Sequence, residues 1–314
     1  MSVGMQFKPG QYCALILGGS SGFGLATAKE LAMCGMDICL VHRDRRGAME
    51  RIESEFEKIR STGSRLFTFN VDALSREGRN NVLDGLQAAI GQSRIRVLLH
   101  SIAFGSLKLA APRLPKSDVV VHALAEKLGR SAGEVQEIID ALFNDGATSL
   151  QAVATPPPYD DKLLLDEEEV LATVNAMGTS LLSWTQDLFT RGLFCRDARV
   201  IGLTSEGNEI AWLGYAAVSA AKASLEAISR SIAKEFGPHG IRSNIIQPGV
   251  TDTPALRLIP GSRHLMAKAE LRNPLGRLTQ TSDVARVVAL LARDEASWIN
   301  GSTIRVDGGE HIAG

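Results

Sequence analysis

Seven short apolar runs, separated by stretches with helical spacing, constrain the fold of this chain more than any other feature. They read CALIL at 13–17, DICLV at 37–41, RLFTF at 65–69, RVLLH at 96–100, RVIGLT at 199–204, IRSNIIQ at 241–247 and STIRV at 302–306. A strand that is apolar along its whole length, and not only at alternate residues, is one buried on both faces. Such strands separated by helices describe a parallel sheet, because a parallel neighbour is reached only by a long crossover. The expected fold class is α/β, a doubly wound parallel sheet of seven strands. At 314 residues and 45% hydrophobic content, one large domain over 1–314 suffices.

The balance of charge narrows the function classes. A formal net charge of -1 without long basic runs gives no reason to expect nucleic acid as a partner. No run is long enough to cross a membrane, and the opening MSVGMQFKPGQY lacks the apolar core of a secretory leader, so the expected location is the cytoplasm. Cys13, Cys34, Cys39 and Cys195 lack metal-ligand spacing, and three lie in apolar surroundings. Buried thiols are expected there, with no metal site and no disulfide.

One interval breaks the rhythm. Roughly residues 112–162 separate the fourth strand from a helix beginning near Asp166, far more than an ordinary connection. Within it, Ser117 can cap a helix whose Val121, Leu124, Ala125 and Leu128 share a face, with Gly129 to end it. A second helix follows a Ser131-x-x-Glu134 capping box, with Val135, Ile138, Ile139 and Leu142 at the same spacing. TPPPYDD then returns the chain as a stiff segment. The expectation is a helical insert leaving the carboxyl end of a strand, the edge where open α/β sheets place ligands. A surface decoration and a lid over a substrate are both compatible with it.

After the first strand, LGGSSGFGLATAKELA places Gly18, Gly22 and Gly24 at the mouth of a helix. Glycines permit a tight turn and close backbone approach, and the helix N-terminus offers unpaired amides to a pyrophosphate. In this position the loop predicts a Rossmann-type dinucleotide site. The second strand runs into LVHRDRR, where Val41 and His42 stand in place of the acidic residue that would bind an unmodified ribose, and Arg43 follows. Arg favours a 2′-phosphate, so NADPH is expected as cofactor and NADH is the less favoured dinucleotide. Asp44, about twenty residues past the glycines, is the competing reading.

The stretch GYAAVSAAKASLEA, 214–227, is rich in helix formers and puts Tyr215 and Lys222 seven residues apart. On a helix that spacing returns to one face two turns along. Ser205 precedes Tyr215 by ten residues, Asn175 lies in TVNAMG, QPGVTDT occupies 247–253 and VDGG occupies 306–309. With the glycine loop, these features resemble the short-chain dehydrogenase/reductase family over nearly the whole chain outside the insert. Two departures stand out. Leu17 replaces the Thr usual before the first glycine, and Val218 stands where the family's Tyr-x-x-x-Lys tyrosine would be. The Ser-to-Lys separation of seventeen is kept, so only the tyrosine has moved.

Tyr-x6-Lys resembles the enoyl-acyl-carrier-protein reductases, as does HSIAFG at 100–105, and SEGNEIAWLGY looks most like the bacterial type III subgroup. That resemblance implies a catalytic set of Tyr215, Lys222, Ser205 and Asn175. Tyr215 would bond the enolate oxygen. Lys222 would hold the nicotinamide ribose and favour ionisation of the phenol, and Asn175 would act through its backbone. It further implies a cofactor site of Gly18, Ser20, Ser21, Gly22, Phe23, Gly24, His42, Arg43, Asn70, Val71, Ser101, Ile102, Ala103, Lys222, Pro248, Gly249, Val250 and Thr253. His100 and Phe104 are further candidates for the pocket, although a histidine ending an apolar strand is more often structural.

The substrate implied is an enoyl thioester on acyl carrier protein in fatty acid synthesis. A homotetramer is implied too, with contact faces near 166–190 and 216–236. Two other functions fit the residues: a ketone or alcohol oxidoreductase with the same cofactor, and a dinucleotide-sensing protein that binds a partner through the insert.

Overall fold

A computed structural model describes residues 7–114, 119–160 and 162–313. Its seven strands are β1 Tyr12–Leu17, β2 Asp37–His42, β3 Leu66–Asn70, β4 Arg94–His100, β5 Phe194–Leu203, β6 Ile241–Pro248 and β7 Thr303–Val306. They form one all-parallel sheet in the order β3-β2-β1-β4-β5-β6-β7. The direction of winding reverses between β1 and β4, which opens a crevice at the carboxyl ends of those strands.

The helices are α1 Gly22–Met33, α2 Met49–Arg60, α3 Arg76–Ala89, α4 Val119–Leu128, α5 Ala132–Asn144, α6 Glu167–Val174, α7 Ser180–Thr190, α8 Ala216–Glu235, α9 Pro254–Arg257, α10 Ser262–Arg272 and α11 Thr281–Leu291. Alternate residues of β1 feed two separate cores. Ala14 and Ile16 pack with α1, α2 and α11, whereas Cys13, Leu15 and Leu17 pack with α3, α7 and α8. This two-sided burial is why the strands read as continuous apolar runs. Cys13, Cys34 and Cys39 are buried and Cys195 is partly so, and burial raises all four thiols above their ordinary pKa.

The amino-terminal edge of the sheet holds a feature that apolar patterning does not announce. Arg96 on β4 and Arg199 on β5 are each only 1% exposed. Their Nε atoms donate to the Ala292 and Leu291 carbonyls, 2.9 Å in both cases, so they satisfy orphan groups at the end of α11. Asp197 balances them, 2.8 Å from Arg96 and 2.7 Å from Arg199, with Arg242 as a third partner.

In the insert, the Ser131/Glu134 capping box forms in both directions, and Gly129 follows α4 with φ +61°. The Ser117 cap lies outside the described residues. Val121, Ala125, Val135, Ile139 and Phe143 pack with Ala154 and with Ala267 of α10. Leu124, Leu128, Ile138 and Leu142 are exposed, because two helices leaning on one neighbour cover only half of each apolar face. At the base, the Leu165 amide donates to the Leu109 carbonyl at 2.8 Å, so the two ends of the insert are joined where they leave the body. Among the described residues, no helix is long and apolar enough to cross a membrane.

Candidate active site

Two adjoining cavities lie in the crevice. The first, about 470 Å³, covers the glycine loop and is lined by Gly18, Ser20, Ser21, Gly22, Phe23, His42, Arg43, Val71, Ser101, Ile102, Ala103 and Thr253. Gly18 has φ +83°, and a Cβ there would come 2.5 Å from the Ser101 carbonyl oxygen, so only glycine lets the two strand ends approach. Ser21 caps α1 without spending its side chain on the helix, which leaves first-turn amides for an anion.

Gly24 and Asn70 lie outside the lining of this cavity. Gly24 faces inward, where a Cβ would collide with the Gly18 carbonyl oxygen, so its part is packing of the loop on α1. Asn70 is taken up by Asp44, exchanging bonds of 3.0 Å with that residue's backbone N–H and C=O. His42 also engages Asp44, its Nδ1 2.9 Å from the carboxylate. Arg43 lies at the cavity mouth over the Phe104 ring, 5.1 Å from the centroid, and donates to Asp72 at 3.2 Å. Phe104 lines both cavities, as the sequence allowed.

The second cavity, about 320 Å³, brings Ser205, Tyr215 and Lys222 together with Pro248, Gly249, Val250 and Thr253. Its remaining walls are mainly apolar, including Leu107, Met177, Trp212, Val218 and Ile259. The Ser205 hydroxyl is 3.2 Å from the Tyr215 phenol. Tyr215 is not inside the helix predicted from the sequence. It is the N-cap of α8, at φ −111° and ψ 3°, and the helix starts one residue later. Val218, on the first turn, fills the place one turn nearer to Lys222.

Burial sets the ionisation of this site. Burial raises the Tyr215 phenol, and the Ser205 bond offsets only part of that, so it remains a protonated donor through the neutral range. The Lys222 ammonium is buried and donates to the Leu203 carbonyl at 2.8 Å. Burial lowers Lys222 itself to about 8, with Glu226 one turn on opposing the shift. Glu226 also accepts bonds of 2.5 Å from Thr204 and Asn208, which bracket Ser205.

Asn175 opens a π-helical turn, Asn175–Thr179, between α6 and α7. Its side chain is exposed and accepts from Thr179 at 3.2 Å, outside both cavity linings. His100 is buried beneath the site, 2.8 Å from Ser180, and burial reinforced by Lys222 lowers it to about 3. It is a neutral structural residue. Sequence reasoning missed Glu310, whose carboxylate accepts from the Val250 amide at 3.0 Å and from Arg272 at 2.8 Å. Arg272 also pairs with Glu206, and both carboxylates line the second cavity. The nearest signal was VDGG, immediately before Glu310.

A doubly wound sheet, a glycine loop at its switch point and a Ser-Tyr-Lys group beside it define an oxidoreductase of the Rossmann class. Residues 12–111 match the family model described as short chain dehydrogenase, and residues 114–311 match the one described as enoyl-(acyl carrier protein) reductase. The chain belongs to the short-chain dehydrogenase/reductase family. A tropinone reductase homolog of Arabidopsis thaliana is 25% identical over 301 residues, 96% of this chain and 91% of the relative. Among solved structures, an enoyl-[acyl-carrier-protein] reductase (NADH) from Aquifex aeolicus superposes with a TM-score of 0.70 at 21% identity, covering 96% of this chain and 98% of the other. A short chain dehydrogenase from Burkholderia cenocepacia, in complex with NADP, gives 0.66 at 22% identity over 96% and 98%. Both structural likenesses concern the fold.

Proposed function

We propose that the protein is an NADPH-dependent reductase of trans-2-enoyl thioesters carried on acyl carrier protein, serving fatty acid synthesis. The observation that carries the reading is the place of Tyr215, at the N-cap of α8 beside Ser205, with an aliphatic valine where a ketone-reducing relative would hold its tyrosine. In carbonyl reduction, charge develops on the oxygen bonded to the carbon that is reduced. In conjugate reduction it develops on the thioester oxygen, three bonds from C3, so the donor must stand further out.

The dinucleotide, when bound, supplies hydride to the C3 carbon. The chain's residues fit it: the Gly18 turn and α1 amides for the pyrophosphate, Lys222 for the ribose hydroxyls, and the Pro248–Val250 backbone for the carboxamide. The 2′-phosphate would fall to Arg43, and Asp44, already engaged by His42 and Asn70, is poorly placed to select an unmodified ribose. Tyr215, held protonated by burial, donates to the enolate oxygen, and Ser205 orients its hydroxyl. The apolar walls around Trp212, Met177 and Ile259 suit an acyl chain and keep water from the enolate. A homotetramer through the 166–190 and 216–236 helices belongs to the same reading.

The second reading, reduction of a ketone, is favoured by the tropinone reductase homolog among the relatives. Following loss of reduced-nicotinamide absorbance with a trans-2-enoyl thioester and with the matching 3-ketoacyl thioester separates the two. Turnover of the enoyl compound alone is expected, faster with NADPH than with NADH. Tyr215→Phe is expected to lower kcat by roughly 10²–10³-fold, as for loss of one oxyanion donor. Turnover of the ketone alone would replace this reading with the second.

A further inference from the structure

Among the walls of the second cavity outside the sheet, two are remote from each other in sequence. One is the segment from Ser205 to Tyr215, which presents Trp212 and Tyr215. The other runs from α9 into α10 and presents Leu256, Leu258 and Ile259. None of the described residues lining this cavity comes from the insert. It does meet both walls. Tyr159, in the returning arm, places its hydroxyl 3.0 Å from the Leu213 carbonyl oxygen and 3.2 Å from that of Pro260, its proton shared between them.

The surroundings are shaped to this contact. A Cβ on Gly214 would come 2.7 Å from the Tyr159 ring, so the residue ahead of Tyr215 has no side chain where the ring sits. Arg113 covers the ring with its guanidinium 5.1 Å from the centroid and donates to the Pro157 carbonyl at 3.0 Å. The second wall is held again where Arg263 donates to the Asn144 carbonyl, 2.9 Å. Burial raises the Tyr159 phenol, with Arg113 opposing, so the hydroxyl stays a donor.

We propose that Tyr159 is a positioning residue that fastens the two walls together, making the insert a clamp that fixes the width of the substrate cavity and the place of the Tyr215 phenol. The proposal rests on the reading of Tyr215 as the donor to substrate. Leu213 lies two residues before Tyr215, so freedom gained at its carbonyl passes directly to the phenol. A misplacement of about 1 Å is enough for a large loss of rate.

Tyr159→Phe removes only the hydroxyl. Hydrogen exchange on the protein without substrate is expected to quicken in 206–214 and 256–262 and to stay unchanged around the glycine loop. With enoyl thioesters, kcat/KM is expected to fall about tenfold, the scale of one hydrogen bond's worth of positioning. The fall should lie in kcat for short chains and in KM as well for long ones, with NADPH affinity unchanged and the melting temperature lowered by no more than a few degrees. Unchanged exchange in both segments would overturn the clamp. Quickened exchange with unchanged kcat and KM would overturn the positioning role. If the wild type turns over no thioester, the functional reading fails, while the exchange comparison still decides whether the clamp exists.

Discussion

Lys222 carries its charge in a place that resists it. Burial lowers it to about 8, while the Glu226 carboxylate, four residues on, pulls the other way. The folded value lies below the unfolded value of about 10.4, so the unfolded chain binds more protons between them. Stability therefore carries a penalty below about 8 that is relieved as pH rises towards 10.4. On the proposed mechanism activity has the opposite slope, because there the ammonium holds the ribose. In the free enzyme kcat/KM is expected to decline as pH rises through about 8. Glu226→Gln should move that inflection lower, and an unmoved profile would show that a different group titrates. The seven-residue spacing was legible because it is local. Its chemistry was only half legible, since the ionisation of Tyr215 depends on burial and on a serine ten residues upstream.

At the scale of elements, the strands were readable because each is buried on both faces, and the capping box at Ser131 because it is complete within four residues. The start of α8 was not, because the run after Gly214 is rich in helix formers and gives no local stop at Tyr215, whose phenol meets Ser205 ten residues upstream. Arg96 and Arg199 were equally hidden, since a charged residue in an apolar run gives no hint of the carbonyls waiting across the sheet. These two and Arg242 share Asp197. Burial works to raise its carboxyl, but the arginines together hold it below the ordinary value. Asp197→Asn is expected to cost roughly 2–3 kcal/mol, short of a fully buried broken pair because solvent reaches the aspartate. Denaturant unfolding at neutral pH would measure it. The wild type should lose the same stability in acid, as pH falls through the lowered folded value.

For the whole molecule, what the sequence concealed is what joins distant segments. Glu310 reaches back 60 residues to Val250, and Tyr159 reaches forward 54 residues to Leu213 and 101 to Pro260. No periodicity encodes such contacts, and a tyrosine among prolines reads as a stiff turn. The insert also differs from its expected packing, with Leu124 and Ile138 left exposed. Replacing 112–162 by a short Gly/Ser linker should lower the melting temperature, since it removes the bonds to Leu213 and Pro260 and uncovers Ala267 of α10. It should raise KM for long acyl thioesters more than for short ones, read from initial rates.

The bond between Leu109 and Leu165 gives that experiment its footing. Because the chain departs and returns at one point, everything between is a closed bight, topologically separate from the winding of the sheet. A lineage could gain, lose or exchange such a cassette in one recombination event without re-registering a strand. Substrate range could then drift by swapping hairpins while the sheet and its glycine loop stayed as they were.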